Sequence, residues 1–277
     1  MSHATRRVQR CSGFVLLELV LTLALLAAVA SAMLALSGLL QSTQAHVEAR
    51  DTLQSEAALI IQTLRPRIAQ AIPASLERED AYNLTWLVHE GVGEWRRLPR
   101  ADGSGQVFDA TASTGGFDLL GELRQPPDAL AALQAGIGGD STDCADGGLC
   151  VFFDAAADPR QASATVTALD AGQLGYSGLP DTAHWALQRR TVWLYHQRER
   201  LTCRPDAGLL ALTSPATPIP ATAATAETIL LSRHLSQCEL LLDAFEAQNA
   251  RLVGLVLQLQ HDTLAVPLFL QIAVRGP

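Results

Sequence analysis

Phe14–Leu40 is one unbroken apolar run, and the only charged residue inside it is Glu18. The run exceeds the ~20 residues that a helix needs to cross a hydrocarbon core. Apolar positions then recur at steps of three and four: Leu53, Ala57, Ile60 or Ile61, Leu64 and Ile68. Glu48, Arg50, Asp51, Gln54 and Gln62 fall on the other face. This is the stripe of an amphipathic helix, so one long helix is predicted from about Phe14 to about Ile72. Pro66 should kink it or end its regular part, because proline lacks an N–H and clashes with the preceding turn.

From Tyr82 onward the pattern changes to strands and turns. Tyr82–Val88, Leu149–Phe153, Ala164–Leu169, Thr191–His196 and Arg200–Cys203 read as strands. Gly91-Val92-Gly93, Asp102-Gly103-Ser104-Gly105 and Thr114-Gly115-Gly116 read as turns. Short helices are predicted at Pro126–Ala135 and Leu235–Ala247. The Pro/Ala/Thr-rich Thr213–Thr228 reads as an exposed loop. Arg251–Gln260 and Leu264–Val274 alternate around His261-Asp262-Thr263, a hairpin signature, and Pro267 marks the last strand as an edge or a bulge. The predicted class is α+β, a long N-terminal helix packed on a mostly antiparallel sheet. The boundaries are 1–13, 14–40, 41–72 and a β-rich globular domain at 73–277, with a loop insertion near 204–228.

Glu18 is the first candidate for chemistry. A carboxylate within a membrane-spanning helix costs about 2.5–3.5 kcal/mol on insertion scales, so it calls for a partner. Cleavage between Gly13 and Phe14 would place a new ammonium on Phe14, about one helical turn from Glu18. In a bundle of similar helices that ammonium would neutralise Glu18 of a neighbour.

The segment Arg10-Cys11-Ser12-Gly13-Phe14-Val15-Leu16-Leu17-Glu18, with Arg6, Arg7 and Arg10 as a basic leader, resembles the processing signal of type IV prepilins and pseudopilins. The resemblance implies a pilin fold. It also implies a prepilin peptidase/methyltransferase that cuts after Gly13 and methylates Phe14, with Glu18 serving filament assembly. Weaker likenesses follow. Leu53–Ala58 with Leu64–Ala71 is similar to the helix of W-type minor pilins and J-type pseudopilins. Gly138-Gly139-Asp140 and Val192-Trp193-Leu194-Tyr195 resemble the W-type pattern, and Leu270–Arg275 resembles the terminal strand of both. The chain departs from the W-type helix at Pro66. Implied partners are other major and minor pilins, the inner-membrane assembly platform and, before assembly, membrane lipid. The implied location is the bacterial inner membrane with the C-terminal domain in the periplasm, and then a pilus or a pseudopilus.

Two plainer readings compete. An ordinary secretory signal has basic residues, an apolar centre and small residues such as Ala28–Ala32 at its cleavage site. Glu18 would then sit where acids are disfavoured. A single-span anchor fits the length but leaves Glu18 unexplained. All three readings keep the leader arginines in the cytoplasm.

Charge and cysteine count sharpen this picture. The net charge is −8, and losing the three leader arginines takes it to −11. An acidic chain is a poor match for phosphates, so no nucleic-acid partner is expected. The five cysteines are Cys11, Cys144, Cys150, Cys203 and Cys238. Cleavage after Gly13 removes Cys11 and leaves an even set, as suits an exported protein. Four cysteines allow three pairings. Cys144–Cys150 would close a short Gly/Asp-rich loop, and Cys203–Cys238 would tie a strand to a later segment. Buried free thiols are the alternative.

The sequence lacks the common hydrolase, nucleotide-binding and zinc-protease motifs. No enzyme activity, cofactor or resident metal is expected. The one weak calcium candidate is Asp140, Asp143 and Asp146 in Gly-rich sequence, without EF-hand spacing. The seven histidines are scattered, and Trp86, Trp95, Trp185 and Trp193 read as core or interface residues. The expected function is that of a W-type minor pilin in the initiation or tip complex of a type IV pilus. Alternatives are a J-type minor pseudopilin of type II secretion or, in a different class, a signal-anchored periplasmic binding protein or enzyme.

Overall fold

The structure is a computed structural model. It describes residues 12–96, 98–109, 112–120, 123, 134, 137, 148–153, 163–170, 172–179, 190–215, 226–245 and 250–276. The chain divides into two compact units, Met1–Thr52 and Leu53–Pro277. Helix α1 (Ser12–Ala69) supplies the described part of the first unit and opens the second. Pro66 lies inside its last turn. The helix runs on for three residues and then tightens, with Gln70 N–H donating to Pro66 O and Ala71 N–H to Ile68 O. Its end therefore falls three residues before the predicted Ile72.

Among the described residues twelve strands follow: β1 (Glu77–Arg78), β2 (Asn83–Glu94), β3 (Thr114–Asp118), β4 (Cys150–Phe153), β5 (Ser163–Asp170), β6 (Gln173–Ser177), β7 (Thr191–Arg204), β8 (Leu209–Pro215), β9 (Ala226–Ser232), β10 (Leu235–Phe245), β11 (Ala250–His261) and β12 (Leu264–Arg275). They form two antiparallel sheets. The larger runs β1-β2-β7-β4-β5-β6-β3, with β8 and then β9 continuing from β7; the smaller is β10-β11-β12. Strand β7 organises the large sheet. One side lies along β2 from Asn83↔Thr202 to Glu94↔Thr191. Its other side is shared, Val192–Tyr195 going to β4 and Arg200–Arg204 to β8.

Among the described residues strand outweighs helix, 51% to 29%. This corrects the expected α+β pilin fold: the protein is mostly β, with one long N-terminal helix. The excess strand lies where the sequence pattern pointed elsewhere. Leu235–Phe245, expected as a helix, is β10. Residues 209–215, within the expected loop insertion, are β8, and they pair with β9, which begins at the end of that insertion and runs on to Ser232. Gln173–Ser177 was not anticipated and is β6. The two Gly-rich segments expected as turns, Gly91–Gly93 and Thr114–Gly116, lie in β2 and β3. By contrast Asp102–Gly105 does turn: Asp102 Oδ1 accepts from Ser104 N–H (2.9 Å) and Oγ–H (2.6 Å), and Gly103 takes φ 76°. The β11–β12 hairpin forms as expected, with Asp262 at φ 54° in its turn and Pro267 on an edge strand. The helix expected at Pro126–Ala135 lies almost wholly outside the described residues.

Two hydrophobic clusters fill the second unit. In one, Phe108 stacks on Phe153 (centroids 4.6 Å apart), and Phe117 and Tyr176 pack at their edges. In the other, the helix stripe Leu53, Ile60, Leu64 and Ile68 is fully buried with Leu210 and Leu212 of β8 and Leu255, Leu257 and Leu259 of β11. The 3.6-residue period of the helix and the two-residue period of the strands thus meet in one core.

Candidate assembly segment and the second unit

The first unit presents a helix span, Leu17–Ser37, that is long and apolar enough to cross a membrane and is not buried by the rest of the chain. At 1.5 Å per residue its 21 residues reach about 32 Å, close to the thickness of a hydrocarbon core. Within the span the polar side chains are Glu18, Thr22, Ser31 and Ser37. Each hydroxyl donates to a carbonyl three residues back: Thr22 to Leu19 O (2.9 Å), Ser31 to Ala28 O (2.8 Å) and Ser37 to Leu34 O (2.9 Å). Such bonds let a polar side chain sit in an apolar medium without an orphaned group. Glu18 is exposed and has no hydrogen bond or ion pair among the described residues. Gly13 and Phe14 lie in the first turns of α1. The backbone from Gly13 to Glu18 is therefore helical, as a one-turn separation of Phe14 from Glu18 requires.

In the second unit, the helix segment from Leu53 is fastened to the sheets by two polar links. Arg67 pairs with Glu199 of β7, which is 2% exposed. Burial pushes the Glu199 carboxyl above its ordinary range, and the guanidinium of Arg67 pulls it part of the way back. Trp86 Nε1 and Glu199 Oε2 are both buried without a hydrogen-bond partner among the described residues. About three turns earlier on the same helix face, Glu56 accepts from Ser232 Oγ–H (2.6 Å) and contacts His234 Nδ1 (2.8 Å). The helix turn therefore grips the β9–β10 junction. Neither link was apparent in the sequence. The usable signal was the spacing of Glu56 and Arg67, which puts two opposite charges on one face beside the apolar stripe.

The disulfide Cys203–Cys238 is present, with Cα atoms 6.3 Å apart. It joins β7 of the large sheet to β10 of the small one. Cys150 is also disulfide-bonded, but its expected partner Cys144 lies outside the described residues, as do the calcium candidates Asp140, Asp143 and Asp146. Among the described residues no three His, Cys, Asp or Glu side chains gather as a metal site.

Trp185 lies outside the described residues; the other three tryptophans, His89 and Tyr176 are held by packing. Trp86, Trp95 and Trp193 are buried in the cores. His89 packs against Trp193 (centroids 5.3 Å apart), and its burial holds the imidazole below its ordinary range. Tyr176 donates to Asp109 O (2.9 Å) and its phenol is raised by burial. Asp118, fully buried, receives Gln173 Nε2–H (3.1 Å) and faces Arg100 (3.3 Å). Each of these groups is tied to core or sheet. None joins a nucleophile to a base in reacting geometry.

No protein-family model, curated protein or solved structure matches the chain.

Proposed function

We propose that this chain is a minor subunit of a type IV pilus-type filament, of the W-type minor pilin kind, held by its N-terminal helix in the inner membrane before assembly. The supporting observation is Glu18. It is the one charged group in a membrane-length helix whose other polar side chains satisfy themselves within the helix. A lone carboxylate there is costly unless a neighbour supplies the opposite charge. After cleavage behind Gly13, the amine of Phe14 in an adjacent subunit is that charge. Pairing it with Glu18 fixes the register of one helix on the next. The helix then leaves lipid for a filament interior of similar hydrophobicity, so little apolar free energy changes in transfer. The disulfide-tied β domain is the part displayed outside the membrane. The proposal rests on the N-terminal segment and makes no use of the domain's fold.

The test is the N-terminal residue and mass of the protein isolated from its native membrane, together with a Glu18→Leu variant. A chain starting at N-methylated Phe14, and loss of filament incorporation in Glu18→Leu with membrane insertion retained, are expected. A start after Ala30 or Ala32, or normal incorporation of the Leu variant, overturns the reading.

A further inference from the structure

Among the described residues, strand β12 leaves one side of its backbone open. All twelve of its residues lie on β11 without a register shift. No described strand pairs with its other side. The opposite edge of the same sheet is closed: Arg78 donates to Leu240 O (3.1 Å), Leu235 N–H donates to Gly208 O (2.9 Å), and Cys238 is bonded to Cys203.

The direction of the free groups follows from proline. Successive residues of a strand aim their N–H and C=O to opposite sides. The ladder passes through Pro267 without a bulge, so Pro267, which has no N–H, faces away from β11. Phe269, Gln271 and Ala273 share its parity and present their backbone groups outward. Their side chains are exposed, whereas Leu270, Ile272 and Val274 are buried. Natural sheets blunt such edges with short length, bulges or inward charges. β12 is long and regular, and Arg275 at its end is its only charge. Beside it, the solvent face carries Phe269 (62% exposed), Val256 directly across from it (37%), and Leu241 (39%).

We propose that β12 pairs with β12 of a second copy of this chain, antiparallel about a two-fold axis, making one six-stranded sheet. Charge selects this occupant. The chain is strongly acidic, and most acidic surfaces of two copies repel. β12 carries no acid, while Glu239 and Asp243 lie on β10, which the pairing keeps at the two far edges of the joined sheet. Antiparallel pairing also brings Arg275 of each copy to the hairpin turn of the other, where Asp262 is 84% exposed. The surface is thus self-complementary, as a two-fold contact requires. The inference stands apart from the filament reading.

The test is the mass of the full-length protein in detergent, by sedimentation and light scattering over a concentration series. Two variants are compared with it. Gln271→Pro removes an outward N–H and leaves the β11 ladder intact; Phe269→Lys keeps the backbone and charges the contact. The expected result is a dimer whose dissociation constant rises at least about tenfold in both variants, with circular dichroism unchanged. A wild-type protein that stays monomeric overturns the proposal. So does a dimer that both variants leave intact, which assigns association to the apolar helix. If Gln271→Pro does not fold, Phe269→Lys decides alone, and an unweakened dimer there overturns it.

Discussion

Replacing Cys203 and Cys238 together by Ala reopens a loop of 35 residues between two strands of different sheets. In the chain-entropy model, closing a loop of that length lowers the entropy of the unfolded chain by about 13 cal/mol/K, or about 3.8 kcal/mol at 25 °C. Cys203 is buried in the cluster that unites helix and sheets, so truncation adds a cavity term of about 1 kcal/mol. The expected loss is therefore about 4–5 kcal/mol. The folded state should survive in form, since the same cluster joins β8 and β11 to the helix stripe without help from sulfur. The assay is urea unfolding of the full-length protein in detergent, followed by tryptophan fluorescence. The midpoint should fall, and the denaturant slope should rise because the freed unfolded chain exposes more surface. Reductant is a poorer tool, since Cys150 is disulfide-bonded as well. A loss under about 1 kcal/mol with an unchanged slope would refute the view that this cross-link holds the two sheets together by restricting the unfolded chain.

Gly208 has φ 71°, and a Cβ placed on it would lie 2.9 Å from the backbone carbonyl oxygen of Arg233. Gly208→Ala should cost about 1–3 kcal/mol, read as a lowered urea midpoint; an unshifted midpoint would show that the turn relaxes freely. Because burial raises the Glu199 carboxyl in the folded state, its contribution is complete below the ordinary carboxylate range of about pH 4 and declines as pH rises through the folded value. Glu199→Gln should flatten that decline in a series of urea midpoints from acid to neutral pH. An identical slope in the variant would sink the assignment.

Legibility in the sequence followed the physics of each segment. The β11–β12 hairpin was readable because one face is core and the other solvent, so apolar residues alternate around a polar turn. The stripe from Leu53 to Ile68 was readable for the same reason at helical period. Strand β10 was hidden because Leu240, Leu241 and Leu242 put leucine on both faces: Leu240 is buried, while Leu241 is exposed. Strand β9 was hidden likewise by Ile229, Leu230 and Leu231. Gly91 was read as a turn former, yet it lies in β2 opposite Leu194, and Leu123 packs over it: a Cβ there would be 2.5 Å from Leu123 Cδ2. Glycine in a strand marks close approach as readily as it marks a bend. Of the candidate site, Gly13, Phe14 and Glu18 could be read directly, since their meaning is local. The links from Arg67 to Glu199 and from Glu56 to His234 could not, since they join residues 132 and 178 apart in the chain.

The pairing of β2 with β7 sets the order in which the protein can be built. Asn83 and Thr202 lie 119 residues apart, and closing such a loop costs about 4 kcal/mol of chain entropy before any contact returns it. The meander β10-β11-β12 needs only hairpin closures and can form in microseconds to milliseconds on its own. During synthesis from the N-terminus, β2 emerges long before β7 exists. Its β7-facing side must wait, with only the upstream β1 and the helix end to bond it, through roughly a hundred further residues at about 5–20 residues per second. For those seconds the nascent chain carries a long strand with one backbone edge open.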